Sequence, residues 1–525
     1  MGTETPLVVL NPPTEQPQPA ADAVASVPSV RLAVWIFLVF QFFYVLTSTG
    51  RVRTADEYNT LYTSESLVLR GSTAVPQAVE LHNFYGRHDL GGQPRAAYPP
   101  LHAVLCTPWY AIGHYLLSRL PGVSAGDIDL VVGFSTCLSS ATFSAIVVAF
   151  FFLLLLRLDV SVPASLLATM LLGLATPIFS YSAWLFSEPL SAAAFMGVAL
   201  MLFGRRHEPV ALSAAAVAGL ILGLTAWIRP TNVLAIAIFA LAILVRDGKA
   251  ALRSGAVLCA AAAIGVVSLL FRDVRLFGSP FDFGYPTTAG GVKIENSFDT
   301  PLTTGLYGFL LSPGKSMLLF APPVVLAMAG LGRLWERDRG LATLATVFPL
   351  AYLFFYARYA HWEGGYCVGP RYLVPAIPML CLGLGPILAQ AASRARNLAI
   401  AFLLGGLMVQ LTSLATSFLE DQNPARGHYY DAHWHYRLAY SLAGQVELAW
   451  TYLNQGQPPR LGLGWDRWFV FLHHGGVSAG TLWLVALFLL AGLGFAVAGL
   501  VRNLRSTSRK QPPSFPPLAR PSISC

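Results

Sequence analysis

The chain alternates between long apolar blocks and short polar breaks. Apolar runs of roughly 17–28 residues, the length a helix needs to cross a bilayer core, lie at 32–49, 131–156, 161–183, 189–204, 210–228, 230–245, 254–271, 316–332, 341–357, 371–391, 398–418 and 479–501. Within each run the apolar residues are continuous rather than alternating, which excludes barrel strands. Only helices or closed barrels satisfy every backbone group in lipid. The pattern therefore predicts an all-α integral membrane protein with about twelve transmembrane helices. The first run lacks a basic segment before it and an Ala-x-Ala cleavage site, so it is expected to be a retained helix. Residues 1–30 show no periodicity and are expected to form a disordered tail.

Composition supports this reading. Charged residues make up 11% of the 525 positions and hydrophobic ones 55%, whereas a soluble domain carries about 25% charged residues. Basic residues cluster at Arg205-Arg206, Arg246 to Arg253, Arg333 to Arg339, Arg394 to Arg396 and in the tail from Arg502 to Lys510. If successive helices simply alternate, all of these fall on one side. The positive-inside rule makes that side the cytoplasm and puts both termini there. Arg51 and Arg53 oppose this locally, but they begin a long loop, and long loops weigh little. The net charge of +8 is thus better matched to anionic lipid or phosphate than to nucleic acid. Six scattered cysteines, with no CxxC spacing, do not suggest a disulfide framework.

The inner connections are short. The outer ones, 50–130, 272–315, 358–370 and 419–478, are long, as expected of a protein that builds a site at the outer surface. The segment from Tyr98 to Leu117 is expected to be an interfacial helix. Four regions follow: a tail at 1–30, a catalytic module at 31–391, C-terminal helices at 392–501 and a basic tail at 502–525.

Several outer-side elements could carry chemistry, and each also has a structural reading. Asp56 and Glu57 follow the first helix and could supply a base whose pKa is raised at the membrane surface. Thr54 equally predicts a helix cap there, with both acids in the first turn. Tyr98-Pro99-Pro100-Leu101 reads as a helix entry. Ser187-Glu188-Pro189 reads as a helix start, although a carboxylate at this depth is a functional candidate. Arg229, before Pro230-Thr231, could snorkel or bind phosphate. Lys315, in Ser312-Pro313-Gly314-Lys315, suits an anion; its Ser-x-x-Lys spacing lacks the companion motifs of serine acylases. Trp362-Glu363-Gly364-Gly365 leads to Gly369-Pro370-Arg371-Tyr372. The aromatics there could belong to an interfacial belt, and Arg371 offers a bidentate fork for phosphate. His428, Asp431, His433 and His435 cluster in the last outer loop without a fixed third ligand.

The order of these elements resembles the GT-C class of membrane glycosyltransferases, among them the protein O-mannosyltransferases and the aminoarabinose transferase of lipid A. The resemblance covers residues 31–391 and rests on Asp56-Glu57, Tyr98 to Leu101, Ser187 to Pro189, Arg229 to Thr231, Ser312 to Lys315 and Trp362 to Tyr372. Tyr98 stands where the mannosyltransferases have His. The resemblance implies a polyprenyl-phosphate sugar donor and a glycan, lipid or protein acceptor, with transfer on the extracytoplasmic face of the cell membrane and inversion at the anomeric carbon. It assigns catalysis to Asp56 and Glu57, and donor phosphate to Lys315, Arg371 and Arg229. Acceptor or cation orientation falls to Glu188, Tyr98 and Trp362, with a divalent cation as the one cofactor expected. A secondary transporter or lipid flippase is the alternative. It would place ionisable groups near the bilayer midplane, where the apolar runs carry almost none.

Overall fold

A computed structural model describes residues 27–80, 86–204, 208–285, 297–365, 367–390, 393–415 and 467–508, with a few isolated positions between them. Each of the twelve apolar runs is mainly helical over its described residues, with breaks such as those at Thr176 and at 321–322. The main helices are α1 (Val27–Thr47), α2 (Ala55–Arg70), α3 (Leu101–Tyr115), α4 (Ile128–Arg157), α5 (Val162–Ala175), α6 (Glu188–Phe203), α7 (Leu212–Thr225), α8 (Leu234–Asp247) and α9 (Leu252–Phe277). They are followed by α10 (Leu302–Leu311), α11 (Arg339–Tyr356), α12 (Ser393–Ala415) and α13 (Ala479–Ser508). Among the described residues, seven helical stretches are long and apolar enough to cross a membrane, and four further apolar helices are shorter. The run at 316–332 breaks into Met317–Phe320, Pro323–Ala329 and Leu331–Arg337. Pro322 and Pro323 cannot donate a helical hydrogen bond, which accounts for the first break.

Two features differ from the all-α expectation. Short antiparallel hairpins pair Gly86–His88 with Pro94–Ala96, and Thr288–Ala289 with Val292–Lys293. The first helix also starts at Val27, inside the span expected to be a tail; residues 1–26 and 509–525 lie outside the described residues.

The outward faces of α9, α12 and α13 are apolar: Ile264, Val267 and Phe271, then Leu404 and Met408, then Leu484, Phe488 and Phe495, are each more than half exposed. Patches of this extent require lipid or a partner. Inside the bundle, buried hydroxyls return to their own helix, as Thr136 does by donating to the Val132 carbonyl at 2.7 Å. In α3, Pro108 leaves the Val104 carbonyl without its helical donor, and the Thr107 hydroxyl supplies one at 2.7 Å.

Helices α7 and α9 meet along a seam of small residues. A Cβ added at Gly219 or Gly223 would lie 2.2 Å from the Leu258 or Ala262 carbonyl oxygen, and one at Gly265 would strike the Gly223 backbone at 2.5 Å. Backbones this close need glycine. Trp227, just past α7, fastens the seam by donating from Nε1 to the Gly265 carbonyl at 3.0 Å.

The chain ends of these helices gather at two poles. At one, arginines close the short connections through carbonyls. Arg337 Nη1 donates to Leu158 O at 2.7 Å, Arg246 Nη1 to Leu202 O at 3.3 Å, and Arg157 to Gly204 O. At the other, the C-terminal segment docks on α1 and α4, with Trp468 stacked on Phe134 and Arg467 Nη1 donating to Thr47 O at 3.2 Å.

Candidate functional site

The site begins at the N-terminus of α2. Thr54 is its N-cap (φ −100°, ψ 160°), and Glu57 completes a capping box, as the Thr-x-x-Glu spacing requires. Glu57 Oε2 accepts from the backbone N–H groups of Arg53 (3.0 Å) and Thr54 (2.9 Å) and from the Thr54 hydroxyl (3.2 Å). Its Oε1 accepts from the Leu185 N–H at 3.0 Å. This fully buried carboxylate therefore ties the start of α2 to the loop before α6. Burial pushes its pKa up, against the charge of Arg53 and the backbone hydrogen bonds.

Asp56, one residue earlier, faces the other way. Its Oδ2 lies 2.6 Å from Arg371 Nη2, and its Oδ1 accepts from the Tyr98 hydroxyl. Burial raises its pKa, but the Arg371 charge, the Tyr98 and Arg371 hydrogen bonds and the Arg229 charge outweigh it, and the net direction is down. Burial and the Asp56 charge keep Tyr98 protonated, with a pKa well above the ordinary phenol value.

Arg371 is the hub. It follows Gly369, whose φ of +64° favours glycine, and Pro370, and it opens the short helix Arg371–Ala376. Nη2 meets Asp56, Nε lies 2.8 Å from Glu188 Oε1, and Nη1 donates to the Gly364 carbonyl at 3.2 Å. The guanidinium also lies over the Phe186 ring, 4.1 Å from its centroid. Glu188 Oε1 accepts in addition from Arg229 Nη2 at 2.8 Å, and its Oε2 has no hydrogen-bond partner. Arg229 is held by the turn that follows it. There Asn232 donates to Ser191 Oγ and the Thr225 carbonyl and accepts from the Tyr352 hydroxyl. Its guanidinium stands 5.1 Å from the centroid of Tyr372.

Asp56, Arg371 and Arg229 thus line one wall of a narrow cleft, with Glu188 buried behind the two guanidiniums. Tyr98, His102 and Tyr285 complete the lining. Of the residues singled out in the sequence, Asp56, Tyr98, Arg229 and Arg371 meet here, and Glu188 joins them through the two arginines. Lys315 and Trp362 stand behind the wall. Lys315 is buried and donates from Nζ to the Cys367 carbonyl at 2.7 Å and the Gly365 carbonyl at 3.4 Å. It pins the Gly364–Cys367 turn that in turn holds Arg371. Trp362 packs edge-on against Phe309, over Gly308, where a Cβ would lie 2.0 Å from its ring.

Two cleft residues escaped the sequence reading: Tyr285, at the end of a loop, and His102. Burial lowers the His102 pKa to about 4, with the Glu188 charge opposing that shift and the Arg229 charge adding to it. Glu57, expected to be catalytic, spends both oxygens on N–H and O–H donors, and Glu188, expected to orient the acceptor or a cation, keeps one oxygen without a partner among the described residues. Among the described residues no three His, Cys, Asp or Glu side chains converge as metal ligands. His428, Asp431, His433 and His435 lie outside the described residues.

No protein-family model and no curated protein matches this chain. Among solved structures it is similar to ArnT from Cupriavidus metallidurans bound to undecaprenyl phosphate, at 16% identity over 94% of this chain and 82% of that one, with a TM-score of 0.47. It is also similar to the same protein in the apo state, at 15% identity over 92% and 81%, with a TM-score of 0.48.

Proposed function

We propose that the chain is a membrane glycosyltransferase of the GT-C type. In this reading it moves a sugar from a polyprenyl-phosphate donor to an acceptor hydroxyl or amine on the extracytoplasmic side. One observation carries the reading. Asp56, Tyr98, Arg229 and Arg371 come from distant parts of the chain and converge in one cleft, and Glu188 pairs with both arginines behind its wall. That cleft lies at the pole opposite the short arginine-closed connections.

The chemistry follows from the donor. A sugar 1-phosphodiester already has an anionic leaving group, so departure needs cations more than a general acid. Arg229 and Arg371 supply them. The acceptor oxygen attacks the anomeric carbon from the face opposite the phosphate. The new C1–O bond forms as the C1–O–P bond breaks, and the polyprenyl phosphate leaves with the bonding electrons. The acceptor proton passes to Asp56. Asp56 is paired with Arg371, so a donor phosphate that competes for Arg371 releases Asp56 for its work as base. Glu188 holds both guanidiniums in register from behind. Lys315 acts one layer further out, by fixing the 364–367 turn. A carrier would need its ionisable groups at mid-bundle; here they sit at helix ends.

The test is transfer, or slow hydrolysis, of labelled sugar from a panel of polyprenyl-phosphate monosaccharides by the purified protein and by Asp56→Asn. The variant should fold and lose about 100-fold or more of the rate. Equal rates would remove Asp56 as the base, and no turnover of any donor by the parent protein would remove the transferase reading.

A further inference from the structure

We infer that His102 is the acceptor-positioning residue of this cleft, its Nε2 lone pair receiving the hydrogen of an acceptor hydroxyl; the inference rests on the transferase reading above.

His102 is 5% exposed and lines the cleft, yet its Nε2 has no hydrogen-bond partner among the described residues. A buried polar atom without a partner destabilises the fold, so a native chain that keeps one at a cleft wall points to a ligand. The opposite ring nitrogen fixes its chemistry. His102 Nδ1 lies 3.3 Å from Thr60 Oγ1, and the Thr60 hydroxyl donates its one hydrogen to the Asp56 carbonyl at 3.2 Å. With that hydrogen on the carbonyl, Thr60 accepts in the contact with Nδ1, which corresponds to the tautomer protonated at Nδ1. The other nitrogen is then a bare lone pair.

A lone pair excludes some ligands and selects others. It repels phosphate oxygens, so Nε2 is not part of the donor-anion subsite formed by Arg229 and Arg371. It accepts from O–H, which is what an attacking hydroxyl offers. Thr60 also links the ring to the base, because the carbonyl that receives its hydrogen belongs to Asp56 itself. An acceptor hydroxyl held at Nε2 is thereby indexed to Asp56. The burial that lowers the His102 pKa keeps the ring neutral, and so able to accept, near pH 7.

The experiment separates transfer from hydrolysis, for which water replaces the acceptor. In His102→Asn the amide nitrogen stands in for Nδ1 and keeps the bond to Thr60, while the lone pair at Nε2 is deleted. In His102→Gln the amide group reaches the Nε2 position instead. With the donor panel, and with an alkyl glycoside or a serine peptide as hydroxyl acceptor, His102→Asn should lower kcat/KM for the acceptor about tenfold. Donor hydrolysis should stay within about twofold, and His102→Gln should recover part of the loss. Equal losses of hydrolysis and transfer would show a merely structural residue and overturn the inference, as would unaltered transfer. A second readout needs no donor: the imidazole ¹⁵N spectrum of the full-length protein, with His102 assigned by its absence in His102→Gln. Protonation at Nδ1 is expected, and protonation at Nε2 overturns the inference. If the parent protein consumes no donor, the transferase reading fails by itself and the spectrum still judges His102.

Discussion

The two poles of the helical bundle use the same residue type for different ends. At the pole of short connections, Arg157, Arg246 and Arg337 reach backbone carbonyls left over at helix ends. At the cleft, Arg229 and Arg371 reach carboxylates that are themselves buried. The first arrangement closes helices, and its ion pair joins Arg246 to its chain neighbour Asp247 at 2.8 Å. The second concentrates paired charges where a ligand can exchange with one partner. An arginine count cannot tell these poles apart; the company of Asp56 and Glu188 does.

The contrast is broken most severely at its hub. Arg371→Ala leaves two buried carboxylates without their shared partner, a loss of about 3–5 kcal/mol, and should abolish transfer. Arg371→Lys keeps the charge without the fork, and should fold better while remaining nearly inactive. Folded yield and thermal midpoint in detergent, alongside transfer, check both. Next comes Glu57→Ala, which strips four hydrogen bonds from the start of α2 and the Leu185 loop. It should cost about 3 kcal/mol and lower the thermal midpoint. Transfer per folded molecule should fall less than in Asp56→Asn, its neighbour. A larger fall in activity than in stability would bring Glu57 into the chemistry.

A smaller effect is a pH dependence. His102 is lowered in the fold to about 4 from the ordinary 6.5, so between those values the unfolded chain binds the proton and the folded chain does not. Stability from this group is complete above pH 6.5 and declines as pH falls towards 4, by about 2 kcal/mol at pH 5. His102→Asn should flatten that slope in thermal melts. Asp56, shifted downward, acts lower still: its pairing persists above its unfolded value and is lost only as pH falls through the depressed one. The smallest effect belongs to the other pole. Arg337→Gln should cost about 1 kcal/mol and leave transfer rates unchanged; a large loss of transfer there would erase the distinction between the poles.

Much of the helix layout was legible because lipid enforces it: an apolar run of spanning length has few alternatives to a helix. The capping role of Thr54 and Glu57 was equally local, since Thr-x-x-Glu contains both partners. What sequence could not supply was contact across distance. The Asp56 carboxylate and the Tyr98 hydroxyl are 42 residues apart, and Arg371 and Glu188 are 183 apart. Lys315 shows the same limit in reverse. Its place before an apolar helix suggested a cation facing outward, but the Gly364–Cys367 turn, remote in sequence, offers carbonyls that draw it inward. His102 did leave a trace, as a polar residue inside an apolar segment. Its meaning depended on Thr60, which belongs to another helix.

The glycine seam between α7 and α9 reaches beyond the bilayer. Helix α7 runs out into Arg229, and α9 runs out towards Tyr285, so two sides of the cleft stand on one welded pair of struts. A methyl group at Gly223, with no charge and no contact with substrate, would wedge those struts apart at the Ala262 carbonyl. The displacement would be carried along stiff helices to the reacting groups, where tolerances are a fraction of an ångström. The accuracy of the site is thus set partly by the absence of side chains deep in the membrane.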